Sequence, residues 1–290
     1  MRAALRVGLG AALVAGVALP WCATAAAAAG PAATGATASA VATGPADGLV
    51  VVGVGGLLWD DLDRATTPTL WRLVGEGSVG SVSVRTSTGS TCALDGWLTV
   101  SAGVQTPASR DRTGSGNGSG AGGQAAPDTA TDCPALPAVV RDDATAGAGA
   151  TVADWASLPA PPVGSDVPSA APGLLGAAVT QRGACSLAVG PGAAVALADA
   201  AGRVGRYAEH PADLTDAELT ACPVVVVDAG EVTDTGARRV AQLRTLDRTL
   251  DDLVARLPDG WRLVVTGVAD TSVRQHELEV ALDWTAGRAG

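Results

Sequence analysis

Leu49–Gly77 reads LVVVGVGGLLWDDLDRATTPTLWRLVGEG, and this stretch decides the fold class. Its first six residues form a continuous apolar run that ends at two glycines, which is typical of a strand buried on both faces. Thr67 and Pro68 then supply a helix start, and Gly77 supplies a helix end. A buried strand, a turn and a helix together form the repeating unit of a parallel α/β sheet.

The rest of the chain repeats this alternation. Helical spacing of leucines predicts a long helix over Thr235–Leu257, and a shorter helix is expected at Gly173–Arg182. The stretch Val195–Tyr207 predicts a hairpin that turns at Asp199–Gly202. Further strands are predicted at Ser78–Val84, Cys185–Val189, Val224–Asp228, Arg262–Thr266 and Leu278–Asp283. We therefore expect an α/β fold with a mostly parallel sheet and helices on both faces.

Composition suggests how the chain is divided. Residues 1–25 have a basic start, a short apolar stretch and a small-residue cleavage site, and they predict a signal peptide. Residues 26–47 predict a flexible linker, and 48–290 the α/β domain. Within it, 105–134 is a Gly/Ser-rich insertion and 145–172 a Pro/Ala-rich loop. We expect an extracytoplasmic protein, secreted or associated with the cell envelope.

The charge balance excludes one class of partner. The formal net charge is −10, and none of the basic residues is a lysine. The arginines form no cluster, so a nucleic-acid backbone is excluded as a partner. The lysine-free, Ala/Gly/Val-rich composition is typical of a GC-rich genome such as those of actinobacteria. The partner itself is unknown from sequence; envelope proteins or membrane-linked components are the candidates.

Four cysteines follow the predicted signal peptide, and an even number in an exported chain predicts two disulfides. Three pairings are open on sequence alone. Cys185 and Cys222 each begin an apolar strand, so neighbouring parallel strands would bring them together. That pairing leaves Cys92 with Cys133 across the Gly-rich insertion. A zinc site is disfavoured because no CxxC or Cys/His spacing occurs.

The ordered motifs GLVVVGVGGLLWDDL, TTPTLWRLVGEG, VVVVDAG and RLVVTGVAD resemble those of the alkaline phosphatase superfamily. That superfamily includes sulfatases, nucleotide pyrophosphatases and phosphopentomutases. The resemblance implies an alkaline phosphatase-like α/β fold and a two-metal site at the strand ends. It also implies a nucleophilic hydroxyl at a helix mouth, for which Thr91 is the best match and Ser90 the next. The structural alternative makes Thr91 the N-cap of the helix.

The implied metal ligands are largely missing from this chain. The family's metal-binding Asp at the end of the first strand is replaced by Gly55. Val268 and Ala269 stand in the places of a later Asp and His. Three substitutions of this kind argue against the family's chemistry and favour a non-enzyme.

Three residues are left as weak candidate metal ligands. Asp228 and Asp234 follow the VVVV strand, and His276 lies near the end of the chain. If the protein is active, they imply a divalent cation such as Zn, Mn, Mg or Ca; otherwise no cofactor is expected. The structural alternative for His276 is a solvated strand edge. For Asp60, Asp61 and Asp63, a solvated helix start is favoured over a cation site.

Three functional hypotheses follow. The leading one is an exported, non-catalytic alkaline phosphatase-like domain that acts as a binding or scaffold module in the cell envelope. The second is a metal-dependent phosphoric or sulfuric ester hydrolase with a rearranged site. The third is the extracytoplasmic domain of a larger membrane protein, of which 48–290 would be a C-terminally truncated domain.

Overall fold

The structure is a computed structural model, and it describes residues 48–85, 90–110, 133–143, 147–160, 171–270 and 277–287. These residues belong to one compact unit. The predicted signal peptide, the predicted linker and most of the Gly/Ser-rich insertion lie outside the described residues. Among the helices of the described parts of the chain, none combines the length and apolar character that a membrane span requires.

A seven-stranded sheet forms the centre of the fold. From one edge to the other, its strands are β2 (Ser78–Val82), β10 (Glu279–Thr285), β9 (Arg262–Ala269), β1 (Leu49–Gly55), β8 (Val224–Glu231), β5 (Ser186–Val189) and β7 (Tyr207–Ala208). Strands β1, β5, β7, β8 and β9 are parallel, whereas β10 is antiparallel to both β9 and β2. The predicted mostly parallel sheet is therefore confirmed.

Six α-helices accompany the sheet within the described ranges. They are α1 (Pro68–Glu76), α2 (Ala93–Ala102), α3 (Leu174–Gln181), α4 (Pro191–Leu197), α5 (Asp216–Leu219) and α6 (Gly236–Arg256). Every helix predicted from the spacing of apolar residues is present, within one or two residues at each end. In addition, α4 and α5 occupy stretches for which no helix is predicted.

Two apolar cores lie on opposite faces of the sheet, because successive strand residues point to opposite sides. Val50 and Val52 join the core formed with α1 and α6. Val51 packs instead against the core that contains Trp97 of α2 and the apolar side chains of α4. Helices therefore cover both faces, as the continuous apolar run of β1 predicts.

Glycines allow α2 to lie close to the sheet. Trp97 of α2 is 1% exposed, and its indole ring packs against Gly53 and Gly192. A Cβ at Gly53 would lie 2.3 Å from the ring, and a Cβ at Gly192 would lie 2.0 Å from it. At Gly96 a Cβ would lie 1.6 Å from the carbonyl oxygen of Val268. The helix is thus held against the carboxyl ends of β1 and β9.

The long helix α6 caps the short helix α1. The buried carboxylate of Asp247 accepts hydrogen bonds from the backbone N–H groups of Thr69 at 3.2 Å and Leu70 at 2.9 Å. These are two of the first N–H groups of α1, which have no partner within their own helix. The hydroxyl of Thr67, at the N-cap, instead donates to the carbonyl of Asp61.

The structure corrects two predictions. The hairpin predicted over Val195–Tyr207 is wrong, because its first three residues end α4, which Pro191 starts directly after β5. The predicted loop 145–172 contains a strand, β4 (Ala150–Val152), in its described part. This strand pairs with β3 (Val139–Arg141) and β6 (Arg203–Val204) in a second, three-stranded sheet.

Both expected disulfides are present, so the structure selects one of the three pairings. Cys92 is bonded to Cys133, with Cα atoms 5.5 Å apart, and Cys185 to Cys222, with Cα atoms 5.1 Å apart. The second pair joins the starts of β5 and β8, which are adjacent in the sheet. The reasoning from neighbouring parallel strands is confirmed.

Candidate functional site

The carboxyl ends of the parallel strands meet at one edge of the main sheet, where open α/β sheets bind their ligands. Gly55 ends β1 there, and Asp228 lies on β8 opposite the last part of β1. Asp270 directly follows β9. The loop that leads into α2 crosses the same edge and carries Thr91.

The main chain of Thr91 is hydrogen-bonded to Asp270. Its N–H donates to Oδ2 of Asp270 at 3.0 Å, and its carbonyl accepts from the N–H of Asp270 at 2.9 Å. Thr91 is only 3% exposed, and the N-cap of α2 is Cys92, so the expected capping role of Thr91 is wrong. Ser90, the second candidate nucleophile, is half-buried one residue earlier. Asp270 was not predicted as a site residue, because the family motif draws attention to Val268 and Ala269.

The mouth of α2 already holds a carboxylate. Asp95 is fully buried and accepts the N–H of Cys92 at 2.7 Å and the N–H of Ala108 at 2.6 Å. Arg110 donates to the same carboxylate at 3.0 Å. The charge of Asp95 therefore occupies the helix end that would otherwise attract a phosphate or sulfate group.

The candidate metal ligand Asp228 caps another helix. One of its oxygens accepts the N–H of Gly192 in the first turn of α4 at 2.8 Å, and the other accepts the N–H of Gly230 at 3.0 Å. Burial raises the pKa of Asp228, and these two hydrogen bonds oppose the rise only in part. Both oxygens are thus engaged by the main chain.

Gly55, in the place of the expected Asp, lies under a carboxylate from the neighbouring strand. A Cβ at Gly55 would lie 2.8 Å from Cγ of Glu231 and 3.3 Å from Cβ of Ala269. Desolvation, and then the negative charge of Asp228, raise the pKa of Glu231. The side chain of Glu231 therefore takes up space that a residue larger than glycine would need.

An ion pair lies directly after β1. The guanidinium of Arg239, from α6, donates to Oδ1 of Asp61 at 2.8 Å and to Oδ2 at 2.5 Å. It also donates to the carbonyl oxygens of Gly56 at 2.8 Å and Val232 at 2.9 Å. The side chains of Asp61 and Arg239 are 6% and 16% exposed, so the pair is largely removed from water.

Glu279, at the start of β10, is an unexpected member of this edge. It is 1% exposed, and within the described ranges its carboxyl oxygens make no hydrogen bond of normal geometry, although the backbone at Gly56 and Leu57 is near enough to lower its pKa slightly. Burial and the negative charge of Asp270 raise the pKa of Glu279 to about 8. Its Oε2 would lie 1.9 Å from a Cβ on Gly267, so the side chain fits only beside a glycine. Gly267, in the motif TGVAD, is therefore the sequence feature that could have pointed to a buried side chain at this position.

These residues do not fit the two-metal centre that the resemblance implies. The described parts of the chain contain no group of three or more His, Cys, Asp or Glu side chains that could hold a metal ion. Asp228 is engaged by the main chain, Asp61 is neutralised by Arg239, and Glu279 carries a proton at neutral pH. His276 lies outside the described residues.

The third candidate ligand, Asp234, lines a cavity of about 370 Å³ beside the ion pair. Asp60, Asp61 and Asp63 line the same cavity. Hydrogen bonds from Thr66 and Ala65 lower the pKa of Asp63, which is the behaviour of a carboxylate that ends a turn in solvent. The structure thus separates Asp61, which is paired and buried, from its two exposed neighbours.

Comparisons with known proteins give a likeness among solved structures. No protein-family model matches the chain, and no curated protein matches it either. Among solved structures, the chain is similar to an inactive variant of murine ectonucleotide pyrophosphatase/phosphodiesterase 5 in complex with AMP, with a TM-score of 0.39 and 11% sequence identity. The similarity covers 76% of this chain and 56% of that one.

Proposed function

We propose that this chain is an exported, non-catalytic domain of alkaline phosphatase-like architecture that acts as a binding or scaffold module in the cell envelope. The observation that carries the proposal is the ion pair of Arg239 and Asp61 after β1. The guanidinium supplies a permanent positive charge at the strand end, bound to the protein by charge-assisted hydrogen bonds. Because the carboxylate of Asp61 is paired with this guanidinium, it is not available to bind a divalent metal.

Two further observations support the proposal. Thr91 is 3% exposed, so little of it can be reached by an ester substrate from solvent. The two disulfides favour an oxidising compartment outside the cytoplasm, because such bonds do not persist among reduced thiols. The partner would then be an envelope protein or a membrane-linked component.

Metal content and ester cleavage test this proposal together. Zn, Mn, Mg and Ca are measured on the purified chain, and wild type, Thr91→Ala and Asp228→Ala are assayed on panels of phosphodiesters and sulfate esters. We expect no stoichiometric metal and the same background rate in all three proteins. Stoichiometric metal together with cleavage that requires Thr91 would overturn the proposal.

One observation favours a second candidate, a hydrolase that differs from the metal-dependent one expected from the sequence because it would work without a metal. The carboxylate of Asp270 lies beside Thr91, and Glu279, which keeps its proton at neutral pH, lies next to Asp270. A carboxylate and a protonated carboxyl near a hydroxyl are the elements of general acid–base catalysis. Cleavage that is lost in both Thr91→Ala and Asp270→Asn, without bound metal, would favour this candidate over the scaffold.

A further inference from the structure

Strand β2 forms one edge of the main sheet, and within the described ranges it pairs only with β10. Its sequence, SVGSV, contains no charged residue and no proline, its register with β10 is regular, and most of its residues are exposed. Natural sheets protect an open edge with charges, proline, a bulge or a covering segment, because unpaired N–H and C=O groups accept a further strand. Strand β2 itself carries none of the first three, so it is suited to pair with another strand.

The apolar core on the α1 side of the sheet extends to this edge. Val79 pairs with Leu282 of β10, and Ser81 pairs with Val280, so these side chains share one face. Leu282 and Val280 are buried, whereas Val79 is 45% exposed. The indole of Trp59, itself 37% exposed, donates to the hydroxyl of Ser81 at 3.0 Å. One more strand on this edge would remove apolar surface of Val79 and Trp59 from water.

Opposite charges stand at the two ends of β2. Glu76 ends α1 just before the strand, and Arg85 follows its other end; both are exposed. Glu76 is paired with Arg72 on the surface, whereas no ion pair formed among the described residues includes Arg85. Antiparallel pairing of β2 with a copy of itself brings each Arg85 to the end that carries Glu76 of the other copy. The strand is therefore complementary in charge to itself, and parallel pairing would instead bring like charges together.

We propose that β2 pairs with β2 of a second copy of this chain, antiparallel about a two-fold axis at Gly80, so that one sheet continues through both copies. Directly opposite residues of an antiparallel pair point to the same face, so the two-fold axis relates one residue to its own copy. Gly80 is the middle residue of β2, and this choice lets the whole strand pair. Val79 then lies opposite Ser81 of the second copy, beside the Trp59 indole that is bonded to that serine.

This contact uses the same surface on both copies, so it closes at a dimer. No charged residue faces another within the paired strands, because SVGSV contains none. The inference does not rest on the function proposed above, since such a dimer forms with or without catalysis at the strand ends.

Sedimentation equilibrium of the full chain over a range of concentrations tests the dimer. We expect a reversible monomer–dimer equilibrium in wild type. Val79→Lys places a charge on the covered face and should raise the dissociation constant of the dimer at least about tenfold. Val140→Lys is the matched control, because Val140 is an exposed valine on β3, an edge strand of the smaller sheet. It should dissociate like wild type, and circular dichroism verifies that both variants fold.

A cysteine at Gly80 tests the register. No atom lies within 4 Å of the Cβ position at Gly80, and two cysteines directly opposite each other on antiparallel strands lie within reach of a disulfide. Gly80→Cys should therefore give a disulfide-linked dimer on oxidation. Gly205→Cys is the control, because Gly205 has equally open surroundings outside β2. A wild-type chain that stays monomeric at every concentration, equal dissociation constants for the two lysine variants, or no more linked dimer from Gly80→Cys than from Gly205→Cys would each overturn the proposal.

Discussion

The guanidinium of Arg239 holds both carboxylate oxygens of Asp61 and the carbonyl oxygen of Gly56, and so it joins α6 to the end of the central strand. The two residues are 178 positions apart in the chain. Removing one partner of such a buried pair leaves the other charge without compensation.

Arg239→Gln should therefore lower the free energy of unfolding by about 3–5 kcal/mol. Arg72→Gln breaks the exposed pair with Glu76 and should change it by no more than about 0.5 kcal/mol. Urea unfolding at neutral pH measures both values. Equal losses in the two variants would contradict the view that the Asp61 pair is structural.

Glu279 should make stability depend on pH. Its pKa is about 8 in the folded protein, against 4.5 for an ordinary Glu. Between these pH values the folded protein retains a proton that the unfolded chain has released. The free energy of unfolding therefore falls as pH rises through this window, by at most about 1.4 kcal/mol per pH unit. Below the window the contribution is fully present.

Glu279→Gln should remove this slope, because the amide does not titrate. Urea unfolding at a series of pH values measures the free energy of unfolding of the variant and of wild type. Asp228 and Glu231 titrate in both proteins, so their contributions cancel in the difference. The exposed Glu209→Gln is the control and should keep the wild-type slope. A Glu279→Gln protein with an unchanged slope would show that Glu279 titrates normally.

Two helical glycines should respond to alanine in opposite directions. At Gly96 a Cβ would meet the carbonyl oxygen of Val268 at 1.6 Å, so Gly96→Ala should cost about 3 kcal/mol as α2 moves off the sheet. At Gly75, in α1, no atom lies within 4 Å of the Cβ position. Gly75→Ala should stabilise the protein by about 0.5–1 kcal/mol. Thermal unfolding compares the two; a stable Gly96→Ala would contradict the close approach of α2.

The disulfide between Cys185 and Cys222 closes a loop of 37 residues. Replacing both cysteines with alanine should lower the free energy of unfolding by about 4 kcal/mol, through the loop entropy of the unfolded chain. Cys92→Ala with Cys133→Ala removes a loop of 41 residues and should cost a similar amount. Mass spectrometry of an unreduced digest should find these two pairs, and any other pairing would be evidence against the fold.

Local patterns account for most of the fold. The apolar run of β1, the Thr67-Pro68 start of α1 and the leucine spacing of α6 each lie within one element, so sequence alone predicts them. Helix α4 is missed because seven small and apolar residues after a short strand carry no clear period. Strand β4 is missed because it is a short strand inside a stretch rich in Pro, Ala and Gly.

The contacts of the candidate site depend on residues far apart in the chain. Arg239 and Asp61, or Asp270 and Thr91, are brought together only when the sheet has formed. The substitution at Gly55 can be recognised from sequence, but the Glu231 side chain above it cannot. Sequence therefore predicts where the edge of the sheet lies, and the structure reveals which groups are used for internal bonds there.

The position of β1 between β8 and β9 has a consequence for the order in which the protein can fold. The ribosome makes this central strand early, yet its neighbours start at Val224 and Arg262, which pair with Leu49. A nascent chain that ends before Val224 has neither neighbour, so both edges of β1 lack a partner. Completion of the central sheet therefore waits for the late synthesis of β9.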